Sequence, residues 1–392
     1  MATIRILDPC PNRPQRRRIV LAIGVGVLLL TPSSLLAAPP EPDYWPTREW
    51  RTASPAAHGL DGGRLQELVD LIAEGERFPD LHSLLVVRHG YLVVEEYFAG
   101  QQPETLHMQQ SVTKSFASAA IGIAIEQGCI ESVREPVLGF FPEREGIDHV
   151  DERKRAMTLE DLLTMRSGTD YHERGPGSPH YQLNEMSSGW TEFILDRPML
   201  HAPGTKFQYD SGAAILMSAL IQARTGEHAD VLLEKHLFQP LGIERSWWYR
   251  NREGHPHTGG GLRLRSRDMA RFGLLYLHGG RWDDRQLVPA AWVEASTKRQ
   301  VTFSPAYGTT TGYGYLWWIL APDPEGDGET EIFAACGAHA QYIFVVPEHD
   351  LVVVVTGATQ NNDDENRPLG FLYSHILPAV ERESDGGIGP TR

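Results

Sequence analysis

The segment Met108-Gln-Gln-Ser-Val-Thr-Lys-Ser-Phe116 places a serine and a lysine three positions apart, Ser111 and Lys114. On a helix that spacing puts both side chains on one face, where an amine reaches a hydroxyl. A serine hydroxyl is a poor nucleophile until a base takes its proton. A lysine becomes that base when burial favours its neutral amine. The start of a helix adds unpaired backbone N–H groups and the positive end of the dipole, both favourable to an oxyanion. The pair therefore has the residue types for acyl transfer. A plainer reading stands beside it, because serine is among the best N-cap residues and a first-turn lysine reaches water easily.

The elements around the pair are legible from periodicity. After Ser111 the chain is apolar or small on nearly every face until Glu126-Gln127-Gly128, the pattern of a helix enclosed on all sides. Upstream, Asp61 to Ala73 reads as a helix with Leu65, Leu68, Val69 and Ile72 on one face. Two apolar runs, His82–Arg88 and Tyr91–Phe98, flank His89-Gly90 and predict a β-hairpin. Downstream, Thr158-Leu-Glu-Asp161 opens a helix with a near capping box, closed by Ser167-Gly168. Asp170 to Ser188 is polar and reads as a long irregular loop, a candidate pocket wall. Trp190–Leu195 is helical, Asp210 or Ser211 caps a helix from about Ala213 to Ala223, and another runs near Ala229–Leu237.

The C-terminal part returns to mixed structure. Past the glycine-rich His257-Thr-Gly-Gly-Gly261 come helices at Arg267–Leu277 and Pro289–Ser296. Gly312–Leu320, Glu331–Cys336, Gln341–Val346 and Leu351–Thr356 read as strands, the last two joined by Pro347-Glu-His-Asp350. A closing helix fits Pro368–Leu377. The pattern is α+β: an antiparallel sheet of about five strands, built from both ends of the chain and flanked by helices, with an inserted all-helical lobe. In domain terms, residues 61–156 and 248–385 form the mixed lobe, 157–247 the helical lobe and 39–60 a proline-rich lead-in arm. At 392 residues the chain exceeds the size at which one core keeps growing, which favours two lobes with a site at their junction.

Residues 1–38 stand apart. Arg16-Arg-Arg18, an apolar run from Ile19 to Leu30 and a small-residue zone ending at Ala38 have the form of an export signal, although Leu36 occupies a position where a small residue is usual. The apolar run is shorter than the ~20 residues of a spanning helix. The expected location is periplasmic or secreted, with retention by an uncleaved N-terminal anchor as the alternative. The full chain has a formal charge of −15, and without residues 1–38 it keeps 31 Lys and Arg against 50 Asp and Glu, or −19. Such a surface repels nucleic-acid phosphates and anionic membranes, so no nucleic-acid partner is expected and no membrane contact beyond the export signal. Only Cys129 and Cys336 remain after residue 38, too few for a disulfide framework.

Three motifs in order then carry a resemblance. Ser111-Val-Thr-Lys114 at the head of the central helix, Tyr209-Asp-Ser211 in the helical insert and Gly337-Ala-His-Ala-Gln341 before the final hairpin resemble the motifs of the serine β-lactamase and penicillin-binding-protein superfamily. Within it the similarity is to class C β-lactamase-related hydrolases, the family VIII carboxylesterases, 6-aminohexanoate-dimer hydrolases and D-amino-acid peptidases, over roughly residues 60–380. The resemblance implies a β-lactamase-like fold with Ser111 as the acylated nucleophile and Lys114 as its base. It also implies that Tyr209 is the second proton carrier, and that the backbone N–H groups of Ser111 and Ala338 form an oxyanion hole. Ser211, Gly337 and His339 would border the substrate.

One departure bears on the substrate. Penicillin-recognising members carry Lys-Thr-Gly or a close variant on the strand beside the nucleophile, a cation for the substrate carboxylate. Here no lysine follows Lys298, so that cation is missing unless His339 or an arginine replaces it. The middle motif reads Tyr-Asp-Ser rather than Tyr-x-Asn. The resemblance then implies an exported serine hydrolase of a carboxylic ester or amide, acting as a monomer or weak homodimer without metal or cofactor. β-Lactamase or D-amino-acid peptidase activity, and a non-hydrolytic binding or sensor protein on the same scaffold, stay open as alternatives. No Gly-x-Ser-x-Gly elbow appears, and His255-Pro-His257 lacks partners that would complete a metal site.

Overall fold

The structure, a computed structural model, describes residues 41–75, 78, 80–307, 309–359 and 367–381. The expected export signal, residues 1–38, lies outside them, as do residues 39 and 40 of the lead-in arm. Among the described residues no helix is long and apolar enough to cross a membrane.

The N-terminal helix α1 (Gly62–Ala73) starts where Asp61 accepts hydrogen bonds from the backbone N–H groups of Gly63 and Arg64, and it buries Leu65, Leu68 and Ile72. The predicted hairpin follows as β1 (Leu81–Arg88) and β2 (Tyr91–Tyr97). Both turn residues, His89 and Gly90, are left-handed, with φ of 51° and 80°, as a two-residue turn matched to the strand twist requires. Six further strands complete the sheet: β3 (Val301–Tyr307), β4 (Thr310–Tyr313), β5 (Trp318–Leu320), β6 (Ile332–Gly337), β7 (Gln341–Val346) and β8 (Leu351–Gly357). Their order is β2-β1-β8-β7-β6-β5-β4-β3, every neighbouring pair antiparallel.

The expected sheet of about five strands is thus corrected to eight. The stretch read as one strand, Gly312–Leu320, is two, because the chain turns between them, with Leu316 at φ 62° and the Gly314 N–H donating to the Trp317 carbonyl. β3 escaped the pattern because Pro305 sits inside it. Proline is tolerated at edges and bulges, and β3 is the edge strand whose pairing with β4 shifts register between Thr302 and Tyr307, the stretch that holds Pro305.

Both faces of the sheet are covered, and β8 shows how the sequence arranges this. Leu351, Val353 and Val355 pack into a cluster with α1 and the C-terminal helical turns. Val352 and Val354 point the other way, into the large cluster that contains the central helix. A strand buried on both sides reads as an unbroken apolar run, which is what Leu-Val-Val-Val-Val is.

That central helix is α2 (Thr113–Glu126), buried from Thr113 through Ala124. Beside it lies α4 (Ser211–Thr225), capped at its start by Asp210, whose carboxylate accepts the Ala213 N–H at 2.9 Å, and ended by Gly226 at φ 76°. The capping box at Thr158 and Asp161 is present, and its helix runs Leu159–Leu163. The stretch 170–188, expected to be irregular, contains a short helix, α3 (Pro179–Glu185), with proline at its first position. Helix α5 (Ser266–Leu277) packs on β7 and β8. One hydrophobic cluster runs without a break from Leu85 and Val352 in the sheet, through Phe116 in α2, to Leu216 in α4. Cys336 is a free thiol, so it does not pair with Cys129.

Candidate active site

Ser111 lies in a single tight turn, Gln110–Val112, immediately before α2. Gln110 is left-handed at φ 49°, an uncommon conformation for a residue with a side chain and one that recurs next to reacting groups. One helical step on, Lys114 is 1% exposed. Its Nζ donates to the Ser111 hydroxyl at 2.7 Å and to the Gly259 carbonyl at 2.6 Å. Burial drives the Lys114 pKa down to about 8, against the opposing pull of Glu173 and Asp210, so the neutral amine becomes accessible just above neutral pH.

The glycine-rich segment has a steric reason. A Cβ on Gly259 would come within 2.8 Å of Ile215 and 3.2 Å of the Ser211 carbonyl oxygen, so only glycine lets this backbone approach α4 and present its carbonyl to Lys114.

Tyr209 completes the group. It lines the cleft with Ser111, and the Lys114 ammonium lies 5.1 Å from the centre of its ring. The ring stacks on Trp318 at 5.6 Å and 19° between planes, which fixes its direction. Burial raises the Tyr209 pKa, partly offset by the neighbouring Ser111 hydroxyl, so the phenol keeps its proton near neutral pH. Next to it Asp210 is buried and pushed up to about 6 by desolvation, while the Ala213 N–H and the Ser167 hydroxyl pull the other way. Ser211 is buried at the first position of α4 and faces the same cleft.

On the opposite side, β6 ends against Ser111. A Cβ on Gly337 would sit 2.6 Å from the Gln109 carbonyl oxygen and 3.0 Å from the Ser111 nitrogen, so a glycine is required for the strand to come this close. Gly337 and Ala338 both line the cleft with Ser111. His339 does not. It turns away at φ 63° and its Nδ1 lies 2.6 Å from the Thr359 carbonyl oxygen. Six of the seven residues expected at the site, Ser111, Lys114, Tyr209, Ser211, Gly337 and Ala338, therefore gather here, and His339 stands outside. Among the described lining residues there is no lysine, and the arginine present is Arg174, on the exposed segment after Tyr171.

The cleft measures about 600 Å³, enough for a drug-sized molecule. Much of its remaining wall comes from residues that no motif announced. Glu173 accepts the Ser211 N–H at 2.7 Å, which ties the 170–178 segment to the start of α4. The Asn184 amide donates to His180 Nε2 at 3.1 Å, leaving the proton on Nδ1, which faces Tyr171 at 3.2 Å and Glu173 at 3.4 Å. His257 is buried and pushed down to about 4 by desolvation and by the charge of Lys114, so it is neutral near pH 7. Trp318 and Cys336 also line the cleft. The only sequence signals for this wall were the polar run from Asp170 and the glycines after His257. Among the described residues no group of acidic, histidine or cysteine side chains is arranged to hold a metal ion.

Comparison with known proteins places the chain in a family and a fold. The sequence model of the Beta-lactamase family matches residues 73–373. The 6-aminohexanoate-dimer hydrolase of Paenarthrobacter ureafaciens is 26% identical over 350 residues, spanning 82% of this chain and 85% of that protein. Two solved structures share the fold. EstCE1, a hydrolase with promiscuous acyltransferase activity, superposes with a TM-score of 0.66 at 18% identity, over 82% of this chain and 98% of that one. The octameric penicillin-binding-protein homologue from Pyrococcus abyssi superposes with a TM-score of 0.62 at 21% identity, over 82% and 79%.

Proposed function

This chain belongs to the Beta-lactamase family and is a serine hydrolase, and from that premise we propose that it cleaves carboxylic esters or amides through an acyl-enzyme on Ser111. The observation that carries the proposal is the 2.7 Å contact between a fully buried lysine and the Ser111 hydroxyl. Neutral Lys114 takes the Ser111 proton as Oγ attacks the substrate carbonyl carbon. Negative charge gathers on the carbonyl oxygen, where the N–H groups of Ser111 and Ala338 would receive it. The phenol of Tyr209 gives its proton to the departing oxygen or nitrogen and regains one from Lys114. Water then attacks the acyl-enzyme, its proton passing to neutral Lys114 with the Tyr209 hydroxyl as relay, and Lys114 returns that proton to Ser111 Oγ as the acyl–oxygen bond breaks.

A cleft without a lysine at its strand side has no strong handle for a substrate carboxylate, which favours esters and amides lacking one over β-lactams. The basic, apolar and small-residue zones of residues 1–38 support action outside the cytoplasm. The test is intact-mass spectrometry with a fluorophosphonate probe and with p-nitrophenyl butyrate. A single adduct on Ser111 and turnover beyond one equivalent are expected, and Ser111→Ala should lose both. A variant that still turned the ester over would remove Ser111 from the mechanism.

A further inference from the structure

A carboxylate, Glu173, stands in the cleft on the α4 side, across from the strand where the family resemblance implies a cation. Glu173 shares the lining with Ser111 and Tyr209, and its side chain is 22% exposed. One oxygen accepts the Ser211 N–H at 2.7 Å, and the other is 3.4 Å from His180 Nδ1. A carboxylate has about four lone-pair sites, so this oxygen pair retains acceptor capacity toward the open cleft.

The other groups around it cancel that negative charge only in part, since Glu173 favours the charged form of a Lys114 that is buried away from the cleft mouth. His180 and His257 are both held toward the neutral form by burial. The Lys114 amine is enclosed behind Ser111 and committed to the Ser111 hydroxyl and the Gly259 carbonyl. Arg174 is exposed at the mouth, where water and salt screen a guanidinium far more than they screen a half-buried carboxylate.

The surface around Glu173 has a matching character. Tyr209, Tyr249, Trp318 and Tyr342 contribute aromatic surface to the same cleft, and Tyr249 is 41% exposed. Aromatic faces together with one carboxylate make a site for a cation whose own carbons prefer to leave water, as an alkylammonium does. A carboxylate-bearing substrate meets repulsion there instead.

We infer that the cleft prefers an ester or amide bearing an ammonium group, and that Glu173 is the residue selecting it. This rests on the hydrolase reading above. The experiment compares charged esters with neutral isosteres of the same shape. On the alcohol side the pair is acetylcholine and 3,3-dimethylbutyl acetate; on the acyl side it is the p-nitrophenyl esters of 4-(trimethylammonio)butyrate and 5,5-dimethylhexanoate. The quantity read is the ratio of kcat/KM for charged over neutral ester, because any change in acylation common to both cancels. The wild-type ratio should reach about tenfold for at least one pair and fall toward one as ionic strength rises. Glu173→Gln keeps an acceptor for the Ser211 N–H while removing the charge, and should cut that ratio at least about fivefold. A wild-type ratio of one or less on both sides overturns the inference, and so does a preference that survives Glu173→Gln. If no ester is turned over and Ser111 takes no probe, the hydrolase reading falls instead.

Discussion

Two of the five lysines are buried, Lys114 at 1% and Lys154 at 0% exposure, and in both burial is the largest cause lowering the pKa. Their surroundings differ. Lys154 sits in the short helix Glu152–Ala156, and its Nζ donates to the carbonyls of Asp148 and Leu195, both at 2.6 Å. Four carboxylates, Asp196, Asp151, Asp148 and Asp170, favour its charged form. Lys114 has one carbonyl, one hydroxyl and two carboxylates. The first arrangement uses an ammonium as a clasp that joins the loop at Asp148 to the end of the helix Trp190–Leu195. In the second, one of the contacts is a group able to give up a proton. Burial alone does not make a base, and what distinguishes the two amines is the chemistry of the atom each one touches.

The comparison breaks or holds first at substitution of each lysine. Lys114→Met should lower kcat/KM on the order of 10³-fold while the fold persists, because the methionine fills similar volume and removes the proton acceptor. Equal activity in that variant would mean the amine is not the base. Tyr209→Phe should cost less, about 10²-fold, since the stacked ring remains on Trp318 and only the hydroxyl is lost. Burst kinetics add a separate check. If Tyr209 serves the leaving group, an activated p-nitrophenyl ester should suffer less from the change than an alkyl ester, and equal losses would assign Tyr209 a packing role.

Lys154→Met reverses the expectation. Two buried carbonyls and the surrounding acids lose their partner, which should destabilise the protein by about 3 kcal/mol and lower the melting temperature by several degrees. The folded fraction should hydrolyse esters within about twofold of the parent enzyme, as for a site with no shared partner. A large activity loss at unchanged melting temperature would erase the distinction between clasp and base.

The sequence told these two lysines apart only through the company of Lys114. Ser111, Lys114 and Tyr209 were legible because nucleophile chemistry restricts residue type, and because an all-round apolar helix is a strong pattern. Turn and cap chemistry was equally open to reading at His89-Gly90 and Asp210. Lys154 gave no signal, since its partners are backbone carbonyls, and any residue supplies those. Glu173 was hidden for the same reason, its partner being the N–H of Ser211, 38 positions away. His339 was placed at the site by its neighbours in sequence, but a left-handed backbone turned its ring toward Thr359. The edge strand β3 was missed because Pro305 is disallowed in most strands and harmless in that one.

The smallest effect is also the most direct reading of the Lys114 environment. Its pKa in the fold lies near 8, below the ordinary value of 10.5, and in the proposed mechanism the neutral amine accepts the Ser111 proton. As pH falls through that value the amine is protonated and the base is lost, so kcat/KM should rise with pH along a limb centred near 8, about tenfold between pH 7 and 9. The neighbouring groups titrate elsewhere. His257 is held down at about 4, Asp210 is raised only to about 6, and burial moves Tyr209 upward, away from this window. Because Glu173 and Asp210 hold the amine's pKa up against burial, Glu173→Gln should move the limb to lower pH, while Lys154→Met should leave it in place. A pH profile of kcat/KM on a neutral ester decides this: a limb near 6 in the parent enzyme would assign the titration to Asp210, whose pKa Glu173 also raises, and Lys114 would then be a charged donor like Lys154.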